Sequence, residues 1–417
     1  MIEVTRGKIK VPILIVSLLV IAFFIFIIFV VRSPSNVSLT QPVSSSTEII
    51  PGNNSSSTNA TTTVATSSSV SNNLRPTTTP PIIISIQPVN MDGHAIGIAA
   101  GGGLSKISTS SLNQYLNRVV TLGATWVRFD IEWGDVQYSS SSSFTWSGYD
   151  DVVNALAAHH LHGLATILFT PMWARVPSCS NGVECPPANP AQYAAFAADV
   201  VARYKNTIQD YEIWNEPNNY DFWAPYTNCG AYTTLLKATY PAIKAVDPNA
   251  MVITGGLAPE ATDAHNMSQL DFLSCIYANG GGPYFDAVAD HPYSFPQTPS
   301  EQTQGAWGQM SETATSLRSI MIANGDANKK IWITEFGAPT NGPDPYWYVS
   351  EAAQAAMVTN AMSLYKTYSW AGPFFWYTLQ DDGTSTSTNE NFFGLIRADG
   401  SLKPAYSTLQ TVVSEGL

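Results

Sequence analysis

The chain predicts an α/β protein built as a (β/α)8 barrel, and three observations carry that reading. From about residue 86 onward, eight short β-prone runs alternate with longer amphipathic segments. The runs are apolar on both faces, which implies a parallel sheet covered on both sides. Two of them end in a glutamate followed at once by a residue that stops a strand: Tyr211-Glu212-Ile213-Trp214-Asn215-Glu216-Pro217 and Ile331-Trp332-Ile333-Thr334-Glu335-Phe336-Gly337. A carboxylate in that position sits at the rim of a sheet, within reach of a ligand.

Ahead of the barrel the sequence has a different texture. Residues 1–10 carry Arg6, Lys8 and Lys10 and are expected to be cytoplasmic. The run 11–31 is apolar apart from Ser17. At about 1.5 Å per residue it is long enough to cross a hydrocarbon core of roughly 30 Å. It predicts a single-pass transmembrane anchor in the cell membrane with everything downstream extracellular, or a secreted protein if the segment is cleaved. Residues 32–85 are rich in Ser, Thr, Asn and Pro and cannot bury enough apolar surface to offset their ordering entropy, so they predict a disordered stalk. Asn36, Asn53, Asn54, Asn59 and Asn266 head N-x-S/T triplets, which matter only in a host that glycosylates them.

Residues 86–417 are assigned to the barrel. The strand runs lie near 95–100, 126–133, 164–170, 211–215, 252–257, 287–291, 331–334 and 373–378. Helical segments lie near 109–122, 148–161, 190–205, 230–246, 268–279, 307–324 and 349–369, with a last one near 404–415. Asn189-Pro190 reads as a helix cap with proline at the first helical position. Gly123, Gly163 and Gly325 follow helical segments, where a left-handed closing residue is wanted. His159, His160 and His162 fall at a helix C-terminus, whose dipole suits them, so no metal is read there. The alternative fold is an open doubly wound sheet. Gly101-Gly102-Gly103 lacks the G-x-G-x-x-G spacing and opens no helix at once, which disfavours it.

Composition narrows the partners. Net charge is −12, which argues against nucleic acid. The four cysteines, Cys179, Cys185, Cys229 and Cys275, form no C-x-x-C pair, so neither zinc nor another cofactor is expected. An even count in an exported chain points to two disulfides, and three pairings are possible. Cys179 with Cys185 and Cys229 with Cys275 is the pairing favoured here.

The active site of such a barrel lies at the C-terminal ends of its strands. Those ends offer Arg128, Asp130, Glu132 and Trp133 on strand 2 and Thr170 to Trp173 after strand 3. Strand 4 ends at Asn215-Glu216, strand 6 at His291-Pro292-Tyr293, strand 7 at Glu335, and strand 8 supplies Trp376-Tyr377. Aromatic and ionisable groups concentrate there. Two rigidly held carboxylates facing each other are what cleavage of a glycosidic bond needs.

Trp214-Asn215-Glu216-Pro217 together with Thr334-Glu335-Phe336-Gly337 resembles the signature of the clan A (β/α)8 retaining glycoside hydrolases. The chain is most similar to family 39 and its endoglycosidase relatives, with the family 5 cellulase type close behind, over about residues 90–412. The resemblance implies Glu216 as acid/base and Glu335 as nucleophile. It implies that Asn215 bonds the sugar 2-hydroxyl, that Arg128 lies beside the nucleophile, that His291 and Tyr293 form the strand-6 pair, and that Trp376 floors the sugar subsite. Arg128 has alternative partners in Asp130 and Glu132, and His291 an alternative as a core histidine. Packing near Trp214 with a like charge opposite is expected to raise the Glu216 carboxyl. Trp133, Trp173 and Trp223 are read as packing or subsite walls. The expected function is hydrolysis of a β-linked oligo- or polysaccharide by double displacement, with a monomer as default and no cofactor. A non-catalytic glycan-binding barrel and a transglycosylase using the same carboxylates are the alternatives.

Overall fold

A computed structural model describes residues 94–416. The expected cytoplasmic segment 1–10, the anchor 11–31 and the stalk 32–85 lie outside the described residues. Among the described residues, no helix is long and apolar enough to cross a membrane.

Eight parallel strands form one sheet: β1 Ile96–Ala99, β2 Trp126–Glu132, β3 His162–Leu168, β4 Asp210–Ile213, β5 Met251–Thr254, β6 Val288–Asp290, β7 Ile331–Phe336 and β8 Ala371–Tyr377. Neighbours in sequence pair in space from β1 to β5 and from β6 to β8, and β8 pairs with β1. Parallel bridges Ile253↔Ala287 and Leu257↔Asp290 join β5 to β6 and close the barrel. The outer helices include α1 Thr109–Leu122, α2 Trp133–Val136, α3 Ser147–Ala158, α4 Pro190–Tyr204, α5 Cys229–Val246, α6 Gln269–Ala278, α7 Ala306–Gln309, α8 Leu317–Ala323, α9 Glu351–Tyr365 and α10 Pro404–Ser414.

Local chemistry explains the boundaries. The Asn189 side chain accepts from the Ala191 amide and Pro190 opens α4, as its sequence predicts. Gly123 and Gly325 take left-handed backbone at φ 90° and 86°. Gly163 does not: it lies inside β3, and His160 makes the left-handed turn after α3 at φ 56°. A Cβ at 163 would lie 2.5 Å from Ile208 Cδ1 and 3.1 Å from Phe129 Cε1, so a larger residue there would force these core side chains to shift. The segment expected as one helix over 307–324 is broken into α7 and α8, and Ser316 caps the second piece by accepting from Ser319 N. Gly101–Lys106, expected to open no helix at once, winds into a 3₁₀ helix ahead of α1.

Strand periodicity sorts side chains into two cores. Leu116, Val127, Phe129, Phe336, Phe374 and Trp376 pack between sheet and helices. Ala99, Trp126, Leu164, Ile253, Trp332 and Phe375 fill the barrel's interior, with Trp126 and Trp332 edge to face at 5.6 Å. This plug closes the N-terminal end, so polar residues further along the same inward rows face the C-terminal mouth. The disulfides are Cys179–Cys185, within the loop after β3, and Cys229–Cys275, tying α5 to α6.

Candidate active site

Arg128, two positions beyond Trp126 on β2, continues the inward row and is 1% exposed. A buried guanidinium must be paired, and its three nitrogens reach three acceptors. Nε donates to Glu212 Oε2 at 2.5 Å, one terminal nitrogen to Glu335 Oε1 at 2.6 Å, and the other to Asn215 Oδ1 at 2.7 Å. The alternative partners Asp130 and Glu132 do not hold it; Glu132 accepts from Lys106 at 2.8 Å instead.

Glu212 is fully buried, and four donors satisfy its carboxylate. Besides Arg128, these are Thr166 Oγ1 at 2.9 Å, Thr334 Oγ1 at 3.1 Å and the Gly256 amide at 2.9 Å. Gly256 must be glycine, since a Cβ would lie 2.1 Å from His291 Nε2 and 2.7 Å from Thr334 Oγ1. Its carbonyl accepts from the Glu216 amide at 3.0 Å, which fixes the backbone carrying that carboxylate. Trp214 and Glu216 adopt left-handed backbone, φ 73° and 43°, as does Phe169 at φ 63°. Strained residues of this kind persist where the surroundings hold them, and they gather at functional sites. Trp214 is buried, and its indole N–H donates to the Phe222 carbonyl at 2.8 Å, drawing the loop after β4 over the mouth.

Both predicted glutamates open onto one cleft of about 440 Å³, with side chains 12% and 13% exposed for Glu216 and Glu335. Glu335 Oε2 accepts from the Tyr293 hydroxyl at 2.7 Å. Glu216 Oε1 lies 2.9 Å from His291 Nδ1, and its other oxygen accepts from Asn219 Nδ2 at 3.3 Å. Oxygens of Glu216 and Glu335 and a ring nitrogen of His291 all lie within 4.8 Å of one another. A cation could fit that spacing, but the Arg128 guanidinium bonded to Glu335 opposes it electrostatically.

Burial pushes the Glu335 carboxyl up, yet His291, Arg128 and the Tyr293 hydrogen bond together outweigh it and hold it below the ordinary value. Burial lowers His291, but Glu335 and Glu216 raise it above the usual histidine value. Tyr293 is held far above an ordinary tyrosine, first by burial and then by Glu335, so its hydroxyl keeps its proton and donates. Asp130, also in the cleft wall, is pushed up to about 7 by burial, with Arg128 pulling it down and Glu335 and Glu132 adding to the rise.

Trp376 requires a correction. It does not line the cleft but is fully buried against Phe336 in the layer between sheet and helices, ring centroids 5.8 Å apart. Phe375 of β8 faces the barrel axis, so period two turns Trp376 outward and Tyr377 inward, and Tyr377 lines the cleft instead. Trp133 and Trp223 are buried, and Trp173 packs edge to face on Trp133 at 5.5 Å; none lines the cleft. Sequence reasoning did not single out Glu212, Gly256, Asn219 or Glu390. Only Glu212 carried a signal, as an acid that follows Asp210 by two positions in a fully buried strand.

The barrel and its converging glutamates define the clan A type of (β/α)8 glycoside hydrolase fold. Within it, the chain belongs to the glycosyl hydrolases family 39, whose family model matches residues 193–414. Solved structures agree on the fold. A family 39 glycoside hydrolase from the gut symbiont Bacteroides cellulosilyticus WH2 aligns with TM-score 0.61 and 23% identity over 76% of this chain and 63% of that one. A GH39 β-xylosidase from Caulobacter crescentus gives 0.58 and 19% over 78% and 72%. GH5_18 from Streptomyces cattleya in complex with GlcNAc gives 0.58 and 16% over 78% and 80%. The chain thus spans less than two thirds of the first of these structures. No curated protein matches it.

Proposed function

We propose that this domain is a retaining glycoside hydrolase acting on β-linked sugars, with Glu335 as nucleophile and Glu216 as acid/base. The carrying observation is the approach of the two carboxylates, oxygens within 4.8 Å. Retaining enzymes need about 5–5.5 Å between carboxyl groups, whereas inverting ones leave roughly 6.5–9.5 Å for a water. In the first step a Glu335 oxygen attacks the anomeric carbon while Glu216 gives its proton to the departing oxygen. In the second, Glu216 takes a proton from water, which attacks the same carbon and frees Glu335, so configuration is retained.

The environments support this division. Arg128 and Tyr293 favour the ionised nucleophile, and His291 Nδ1 can hold a proton beside Glu216. Asn215 Oδ1 is taken by Arg128, which leaves its amide N–H groups for a sugar hydroxyl. The basic residues before the apolar run 11–31 support an anchored, outward-facing enzyme acting on an extracellular glycan.

A 2-deoxy-2-fluoro glycoside with a good leaving group slows the second step and traps the intermediate. Mass spectrometry of the digested protein is expected to find the added sugar on Glu335. Label on another residue, or turnover with inverted configuration, contradicts the assignment.

A further inference from the structure

The charge lining the cleft carries a statement about substrate that the glutamate pair does not. Asp130 from β2, Glu390 from the loop after β8, and the two proposed catalytic glutamates all border it. Among the described residues lining it, Arg128 is the one basic side chain, and each of its nitrogens is already bonded to the protein. Lys106, the next cation along, is tied to Glu132 at 2.8 Å and Asp135 at 3.3 Å.

Two of these acids are unoccupied by the fold's own needs. The Asp130 carboxyl has no hydrogen-bond donor among the described residues, although the protein surrounds it closely enough for burial to lift it to about 7. Glu390 is exposed at the cleft mouth and receives only the Tyr377 hydroxyl, at 3.2 Å on Oε2; the surrounding protein and Glu335 raise its carboxyl. Glu212 shows the contrast: a carboxylate serving the fold has four donors. Asp130 is carried by β2 and Glu390 by the loop after β8, the two strands that neighbour β1, and both border the cleft.

Resting on the glycosidase reading above, we infer that the cleft selects by charge: it takes an uncharged or ammonium-bearing sugar and rejects a uronate, with Asp130 and Glu390 as the specificity-determining residues. Their oxygens accept hydrogen bonds from hydroxyl or ammonium groups. Above pH 7, where both are ionised, a sugar carboxylate would meet like charge with no free cation to receive it, which is a repulsive device against the wrong substrate.

The test uses the full chain at pH 8, where Asp130 and Glu390 are ionised, and matched aryl β-glycosides, glucoside against glucuronide and galactoside against galacturonide. The expected kcat/KM ratio favours the neutral member by about 100-fold or more. Asp130→Asn combined with Glu390→Gln is expected to narrow it about 10-fold. Comparable turnover of the matched sugars, or a ratio the double variant leaves unchanged, overturns the inference while the glycosidase reading stands. If no glycoside is cleaved, that reading fails separately, and calorimetric binding of cellotriose, a β-1,4-glucosamine trimer and a glucuronate-bearing trisaccharide reads the selection directly. The glucosamine trimer is then expected to bind most tightly. Equal or tighter binding of the glucuronate sugar, or binding of none, overturns it.

Discussion

Glu216 lies just beyond β4 and Glu335 near the end of β7, and the barrel surrounds them differently. Glu335 accepts from a buried guanidinium and a half-buried phenol, both held by other contacts. Glu216 touches a histidine that can give or take a proton and an asparagine at longer range. One carboxylate is fixed in its charged form, and the other is left beside a proton reservoir. Under the proposed mechanism, two chemically identical groups take different roles from their neighbours alone, as is usual where one fold runs acid and base chemistry together.

Removing each carboxylate should separate them most strongly. Glu335→Gln is expected to lower kcat/KM by ~10⁴-fold or more on any aryl glycoside, because no nucleophile remains. Glu216→Gln should cost ~10²–10⁴-fold with a poor leaving group. It should cost far less in the first step with a dinitrophenolate, which departs without protonation. Equal losses across leaving groups for both variants would erase the distinction drawn between them.

A second measure strips Glu335 of its support. Arg128→Met leaves Glu212 and Glu335 as buried acids without their cation, a change worth about 3–5 kcal/mol of stability. Denaturant unfolding reads the loss, and the acid limb of kcat/KM should move upward as Glu335 takes up protons more readily. An unmoved limb would mean that Arg128 serves the fold and not the nucleophile.

The smallest effect is on stability against pH. Burial raises Asp130, Asp210 and Glu260 to about 7 and Asp290 to about 8. The folded state therefore keeps protons that the unfolded chain has released, and the stability these groups contribute falls as pH rises from about 4 towards 8. Glu335 works the other way, stabilising above its unfolded value and losing that contribution on acidification through its depressed one. Tm is expected to decline from pH 5 to pH 8. Asp290→Asn should flatten the decline, since Asp290 Oδ2 is buried without a partner. A Tm that rises over this range would contradict the balance.

The sequence by itself determined the eight cycles, the strands carrying the two glutamates, and the proximity of Arg128, Asn215, His291 and Tyr293. Those follow from local pattern: apolar runs of strand length, helix caps such as Asn189-Pro190, and the rule that barrel chemistry gathers at strand ends. Only the tertiary structure decided the rest. Trp376 faces away from the site because inward and outward rows are set by register around the closed barrel. Glu212 joins the site because Thr166, Gly256 and Thr334, distant in sequence, converge on its oxygens. Asp130 and Glu390 become neighbours of one cleft because β8 closes onto β1. Local sequence fixes where a strand ends, but which side chains meet inside a barrel depends on register and closure, which belong to the whole ring.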